Sequence, residues 1–186
     1  MKLKQILLAG VAAGAANMAM AALETIEFKG EIVSSTCSVT VVGATGGVVT
    51  LPTVSASKLL VKDETAGATP FTLQVAGCTA TGATQIKPSF FANKVDGKDL
   101  ANISALATPA TNVAIRIMED DVDNLGSSGN GALDFTNGYA TTSTFKNIPV
   151  APATLEFPFV AQYIAVDDVV TPGTVQAIVE YELAYN

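Results

Sequence analysis

No histidine occurs anywhere in this 186-residue sequence. That absence removes Ser-His-Asp triads, Cys-His pairs and most general-base schemes. It also leaves any cysteine-based metal site without its usual completing ligand. Basic residues are scarce, 10 Lys and Arg against 17 Asp and Glu, for a net charge of −7. Such a surface argues against binding nucleic acid or anionic membranes. Beyond the N-terminus there is no apolar run long enough to span a bilayer and no segment with a convincing helical period. Two acidic or glycine-rich stretches come close to known motifs without completing them. A calcium loop counted from Asp121 puts Asp123 and Gly126 in register, but it places Leu125 at a ligand position and Ala132 where the closing glutamate belongs. Gly126 to Gly131 has no following Lys-Ser/Thr to cradle a phosphate. No catalytic residue, metal or cofactor is expected, and both stretches read as solvated loop.

The first residues have the form of a leader. Lys2 and Lys4 make a positive start, Ile6 to Ala16 is short and apolar, and Ala19-Met20-Ala21 fits a small-x-small cleavage site. Residues 1–21 are predicted to be a secretory signal peptide. Removing 21 of the 186 residues leaves 165, enough for one domain with a good core, and losing Lys2 and Lys4 takes the formal charge from −7 to −9. Cys37 and Cys78 in an exported chain are expected to form one disulfide, metal binding by the pair being the alternative.

The rest of the chain alternates. From Gly173 to Asn186, Val175, Ala177, Val179, Tyr181, Leu183 and Tyr185 share one parity. Gln176, Glu180, Glu182 and Asn186 share the other, with Ile178 and Ala184 as apolar exceptions. This is the period of a strand with one face in a core, introduced by the turn residues Thr171-Pro172-Gly173. A long apolar terminal strand with an unpaired edge needs a cover. Thr25 to Val33 alternates as cleanly, with Ile26, Phe28, Gly30 and Ile32 on one face. Glycine weakens a strand unless another backbone must come close, which makes Gly30 informative. Further strands are expected around Val39 and Val41, over Val48–Leu51, Phe71–Val75, Ile86–Phe91, Val113–Ile117 and Leu133–Phe135, and from Leu155 to Tyr163. Pro88 points to an edge position and Pro158 to an edge or a bulge. Short strands separated by turns imply an antiparallel sandwich in a single domain.

In Phe28-Lys-Gly30-Glu-Ile32 ahead of Cys37, Phe71-x-Leu73-x-Val75-x-Gly77-Cys78, Asn112-Val-Ala-Ile-Arg-Ile, Leu155-x-Phe157-x-Phe159-x-Ala161-x-Tyr163, and Gly173 through Tyr185, the mature chain resembles a chaperone–usher fimbrial subunit of the type 1 family. The resemblance implies an all-β fold, an incomplete immunoglobulin-like sandwich lacking its last strand and completed by a donor strand from a neighbouring subunit. It implies a donor extension over residues 22–34, carrying Ile26, Phe28, Gly30 and Ile32, and a pilin domain over 35–186. The terminal strand, through Val175, Ala177, Val179, Tyr181, Leu183 and Tyr185, would face first a periplasmic chaperone and then the next subunit. An outer-membrane usher, identical or related subunits in a linear polymer, and a host surface are the further implied partners. The implied role is a structural subunit exported through the periplasm to a cell-surface fimbrium that supports adhesion. The alternative is a minor, tip or adaptor subunit that binds a receptor directly, although such adhesins normally carry an extra lectin domain. At residue level, an ordinary first strand remains the alternative for Thr25–Val33, and a normal sheet edge for the terminal strand.

Overall fold

Period-two alternation puts Phe71, Leu73 and Val75 on the same side as Phe157, Phe159 and Ala161, and all six are buried in one hydrophobic cluster. The computed structural model describes residues 35–80, 84–119, 131–148 and 154–186. The expected signal peptide, the 22–34 extension and the acidic run beyond Glu119 lie outside the described residues. Among the described residues ten strands make two sheets: β1 (Ser35–Val42), β2 (Thr65–Ala80), β3 (Gln85–Phe91), β4 (Val95–Asp96), β5 (Asp99–Ala101), β6 (Val113–Glu119), β7 (Tyr139–Thr141), β8 (Lys146–Asn147), β9 (Leu155–Ala165) and β10 (Glu180–Tyr185). The larger sheet runs β1-β2-β9-β6-β5-β4. The smaller runs β10-β3-β7, with β8 also paired to β3. Every pairing between these strands is antiparallel. The chain is an all-β sandwich, as the resemblance implied.

Phe159 joins the two layers. Its ring stacks on Phe71 of the same sheet at 5.4 Å and takes the edge of Phe90, from the opposite sheet, at 5.2 Å. Such pairs add about 0.5–1.5 kcal/mol each beyond the area they bury. A second cluster of Leu59, Ala110, Val113, Ala165 and Val170 packs separately from this core.

Two proline positions, Pro70 and Pro88, are explained by strand neighbours that stop. Pro88 does not lie on an edge strand, contrary to the expectation: β3 is interior, between β10 and the pair β7 and β8. It sits opposite the break between them, where Ser89 is the last residue paired with β7 and Ile86 the first paired with β8. Pro70 of β2 likewise lies past the last β1 pairing, Val42 with Thr72. At Pro70 and Pro88 a strand neighbour has stopped, which is where a residue lacking an N–H is tolerated. Pro158 marks neither an edge nor a bulge, contrary to the expectation: β9 lies between β2 and β6, and Pro158 pairs in continuous register with Thr72 of β2, one position past the last described β6 pairing, Glu119 with Phe159.

Other boundaries move as well. β2 begins at Thr65, earlier than the alternation suggested, because a bulge between Ala66 and Thr69 resets its register against β9. Val48–Leu51 makes only the isolated bridge of Val48 to Thr45, and the Leu133 region only that of Ala132 to Met118. The hairpin of β4 and β5 went unpredicted, since two- and three-residue strands carry too few alternations to read.

The strand β6 is buried on both faces. Ile115 and Ile117 join the core, while Ala114, Arg116 and Met118 on the opposite parity are also buried. Arg116 forms a two-pronged ion pair with Asp99 of the neighbouring strand, Nε to Oδ1 at 2.8 Å and Nη2 to Oδ2 at 2.9 Å. Removing one partner of such a buried pair strands the other charge. Asp99→Ala is therefore expected to cost about 3–5 kcal/mol in urea unfolding, whereas Asp99→Leu combined with Arg116→Met should lie much closer to wild type. A single-variant cost no larger than the double would show that the pair is solvated.

Cys37 and Cys78 are joined by a disulfide across a separation of 41 residues. A loop of that size is worth ~4 kcal/mol on the chain-entropy model. Cys37→Ser should lower the unfolding free energy by about 2–5 kcal/mol. An unchanged midpoint in that measurement would mean that the bridge constrains nothing.

Candidate functional site

Among the described residues each sheet has a free edge, and these two edges share one side of the sandwich. Among the described residues, β1 ends the larger sheet and pairs only with β2, and β10 ends the smaller and pairs only with β3. The edges meet at the disulfide, where the Tyr185 hydroxyl lies 3.7 Å from Cys37 Sγ. Away from that contact lies a groove of about 590 Å³. One wall carries Val41, Val48, Val49 and Leu51, and the other Val175, Ala177, Val179 and Tyr181. Its floor is the core itself: Phe71, Leu73, Phe90, Leu100, Ile115, Ile117 and Ala161. None of the described lining residues is charged. The arrangement suits an extended apolar segment.

The terminal wall follows the expected parity, but it is a paired strand only from Glu180 onward. Tyr181, Leu183 and Tyr185 stand opposite Phe90, Pro88 and Ile86 and so face the core. Upstream, Val175, Ala177 and Val179 are half-buried against that core, while Ile178, the apolar exception, is 59% exposed. Tyr181 points the same way as the core-facing residues yet remains 40% exposed.

Hydrogen bonding separates the paired part of this wall from the unpaired part. Asn186 and Gln85 exchange both main-chain bonds, at 2.9 and 3.0 Å. By the antiparallel alternation, Ala184, Glu182 and Glu180 then bond β3, and the N–H and C=O groups of Tyr185, Leu183 and Tyr181 turn to the free edge. Ala177, Ile178 and Val179 make no main-chain hydrogen bond to any described residue. This backbone is at once unpaired and alongside an open core.

Tyr163 bounds the groove at the Val175 end, and both residues touch the main and the smaller clusters. Its ring lies on Gly67, whose φ is +71° within the β2 bulge. A Cβ there would come 2.9 Å from the ring. Burial pushes the Tyr163 phenol above its usual range.

A second, shallower cleft is lined by Glu119, Leu133, Asp134, Tyr139, Thr141 and Ser143. The Glu119 carboxylate already accepts bonds from Ser143 N at 2.7 Å and Oγ at 2.9 Å, so it is a satisfied surface group. Among the described residues no set of three or more Cys, Asp or Glu side chains is placed to hold a metal.

Of the residues singled out from the sequence, Val175, Ala177, Val179, Tyr181, Leu183 and Tyr185 share one wall, and Cys37 and Cys78 close one end. Ile26, Phe28, Gly30 and Ile32 lie outside the described residues. Sequence reasoning missed Tyr163 as the end wall and Leu51 as part of the far wall. It also missed Asn102 and Gly173, which hold the start of the terminal segment. A lone asparagine and a glycine after proline look like ordinary loop residues, so periodicity carried no signal for either.

Comparisons with known proteins agree with this geometry. The chain is 31% identical over 186 residues to the F17 fimbrial protein of Escherichia coli, covering 98% of each. It is 30% identical over 177 residues to the major fimbrial subunit SMF-1 of Stenotrophomonas maltophilia, covering 94% of this chain and 99% of that one. A chain from the structure of a chaperone–usher pilus superposes with a TM-score of 0.55 at 14% identity, covering 92% of this chain and all of that one, a likeness of fold. The family model described as "Fimbrial protein" matches residues 26–186, spanning both edges of the groove, and the chain belongs to the fimbrial protein family.

Proposed function

We propose that this fimbrial subunit polymerises by strand donation, its groove receiving the 22–34 extension of the next copy or of a related subunit. The observation that carries the reading is the coincidence of an uncharged groove floored by the core with the unpaired backbone of Ala177–Val179 and the free edge of β10. An added strand supplies main-chain hydrogen bonds to such an edge and drops alternate side chains into the groove. Ile26, Phe28 and Ile32 are the side chains offered. At about 1.5–3 kcal/mol for each one buried, they provide a substantial drive before the cost of association. A head-to-tail contact of this kind does not close on itself and so generates a filament.

Before assembly the same groove is the surface a periplasmic chaperone would cover, since an exposed apolar edge invites aggregation. Passage through an outer-membrane usher to a surface fimbrium completes the reading, and the relatives described as fimbrial proteins support a structural role.

Gly30 provides the test. Simple burial predicts that Gly30→Leu would tighten assembly by adding apolar area. Overpacking a preformed groove costs about 1–3 kcal/mol and predicts the reverse. The purified Gly30→Leu subunit is expected to fail as a donor while still accepting a wild-type peptide of residues 22–34, measured by native gel shift and by fibre length in electron microscopy. Fibres that assemble at wild-type rate and length would mean that this segment is not the donor strand.

A further inference from the structure

Asn102 uses its whole side chain on backbone groups. Its Nδ2 donates to the carbonyls of Ala110 at 2.8 Å and Thr174 at 3.0 Å, and its Oδ1 accepts from the N–H of Ser104 at 3.0 Å and Gln176 at 3.0 Å. Two donors and two acceptor sites are the full capacity of an asparagine. One side chain thereby ties three stretches of chain together, and two of its four partners lie at the start of the terminal groove wall.

The rest of the clamp is main chain. Thr174 N donates to Thr108 O at 2.8 Å, Ala110 N to Thr174 O at 3.0 Å, and Ile103 N to Gln176 O at 2.8 Å. The Thr174 hydroxyl adds contacts to Ser104 Oγ at 2.7 Å and Thr108 O at 3.2 Å. Gly173 lets the two segments approach this closely, since a Cβ on it would lie 2.4 Å from Ala110 N and 2.6 Å from Thr108 O. Among the described residues, main-chain bonding then stops at Gln176 and resumes at Glu180. The unpaired stretch is held at both ends, by the clamp on one side and by β3 on the other.

We propose that Asn102 is a positioning residue for strand acceptance: by fixing Gln176 it keeps the unpaired Ala177–Val179 backbone extended along the groove before any strand arrives. The inference rests on the strand-donation reading. The physical reason is preorganisation. Backbone that is already ordered does not lose that entropy on binding, and its free N–H and C=O groups stand in line for a ladder. Without the clamp, the wall would be anchored only from Glu180 and its first residues would have to be ordered by the incoming strand.

The test uses the full mature chain, with a fluorescent peptide of residues 22–34 as probe. Asn102→Asp keeps the shape but loses both donors and sets a carboxylate against two carbonyls. It should capture the peptide roughly tenfold more slowly than wild type, the scale of one or two hydrogen bonds. The defect should persist at low temperature, where the near-ultraviolet circular dichroism of the variant matches wild type and its disulfide is intact. A merely structural role would restore the wild-type rate under those conditions. Thr174→Val removes two side-chain contacts of the same clamp with little change of shape, and it should slow capture in the same direction, which keeps the inference testable if Asn102→Asp does not fold. Should wild type capture the peptide and the folded variants match its rate, the role of Asn102 is overturned while strand donation stands. Failure of wild type itself to capture the peptide would overturn both.

Discussion

A strand that has lost a neighbour must leave its backbone polar groups in water or find them another partner, and the edge of β10 is where this protein meets that constraint. Tyr181, Leu183 and Tyr185 turn their side chains into the core and their main-chain groups to a free edge. Just upstream, Ala177–Val179 has no described main-chain partner at all. Water can satisfy those N–H and C=O groups, but it wets the floor formed by Phe71, Phe90, Ile115 and Ile117. One added strand would meet both demands, bonding the backbone and covering the floor.

The remaining elements hold the two edges in place. Phe159 binds the layers through Phe71 and Phe90, which sets how far apart the sheets lie across the floor. The disulfide and Tyr185 bring the edges together at one end. Tyr163, lying on the Gly67 bulge, stands at the other. Between them, the terminal wall is anchored by main-chain bonds at Gln176 and again from Glu180. A groove supported in this way gains affinity from what it does not have to rearrange, a different source of binding energy from the area it buries.

Much of the fold was legible in the residues because a half-buried strand repeats every second position. Phe71-x-Leu73-x-Val75 and Leu155-x-Phe157-x-Phe159-x-Ala161 are inner faces in the structure as they are in the pattern. The same alternation along Val175–Tyr185 marked one wall of the groove before any tertiary contact was known. Local pattern failed where partners decide. Pro88 reads as an edge residue, yet it lies in an interior strand, opposed to a gap that only the separation of β7 from β8 creates. Nothing local to the Val113–Ile117 strand announces that Arg116 is buried, which its ion pair with Asp99 makes tolerable. β4 and β5 are too short to show a period at all.

By itself, the sequence determined that the chain is built of strands, which faces of those strands are apolar, and that its terminal segment presents an apolar stripe. These follow from residue type and spacing, properties local to a few positions. Only the tertiary structure decided that β1 and β10 bound the same opening, that regular pairing of the terminal segment begins at Glu180, and that Asn102 and Gly173 hold the stretch before it. Those features depend on which distant segments come to lie side by side. Asn102 and Gln176 are linked by a 3.0 Å hydrogen bond across 74 positions of chain, and no periodicity in either neighbourhood encodes it.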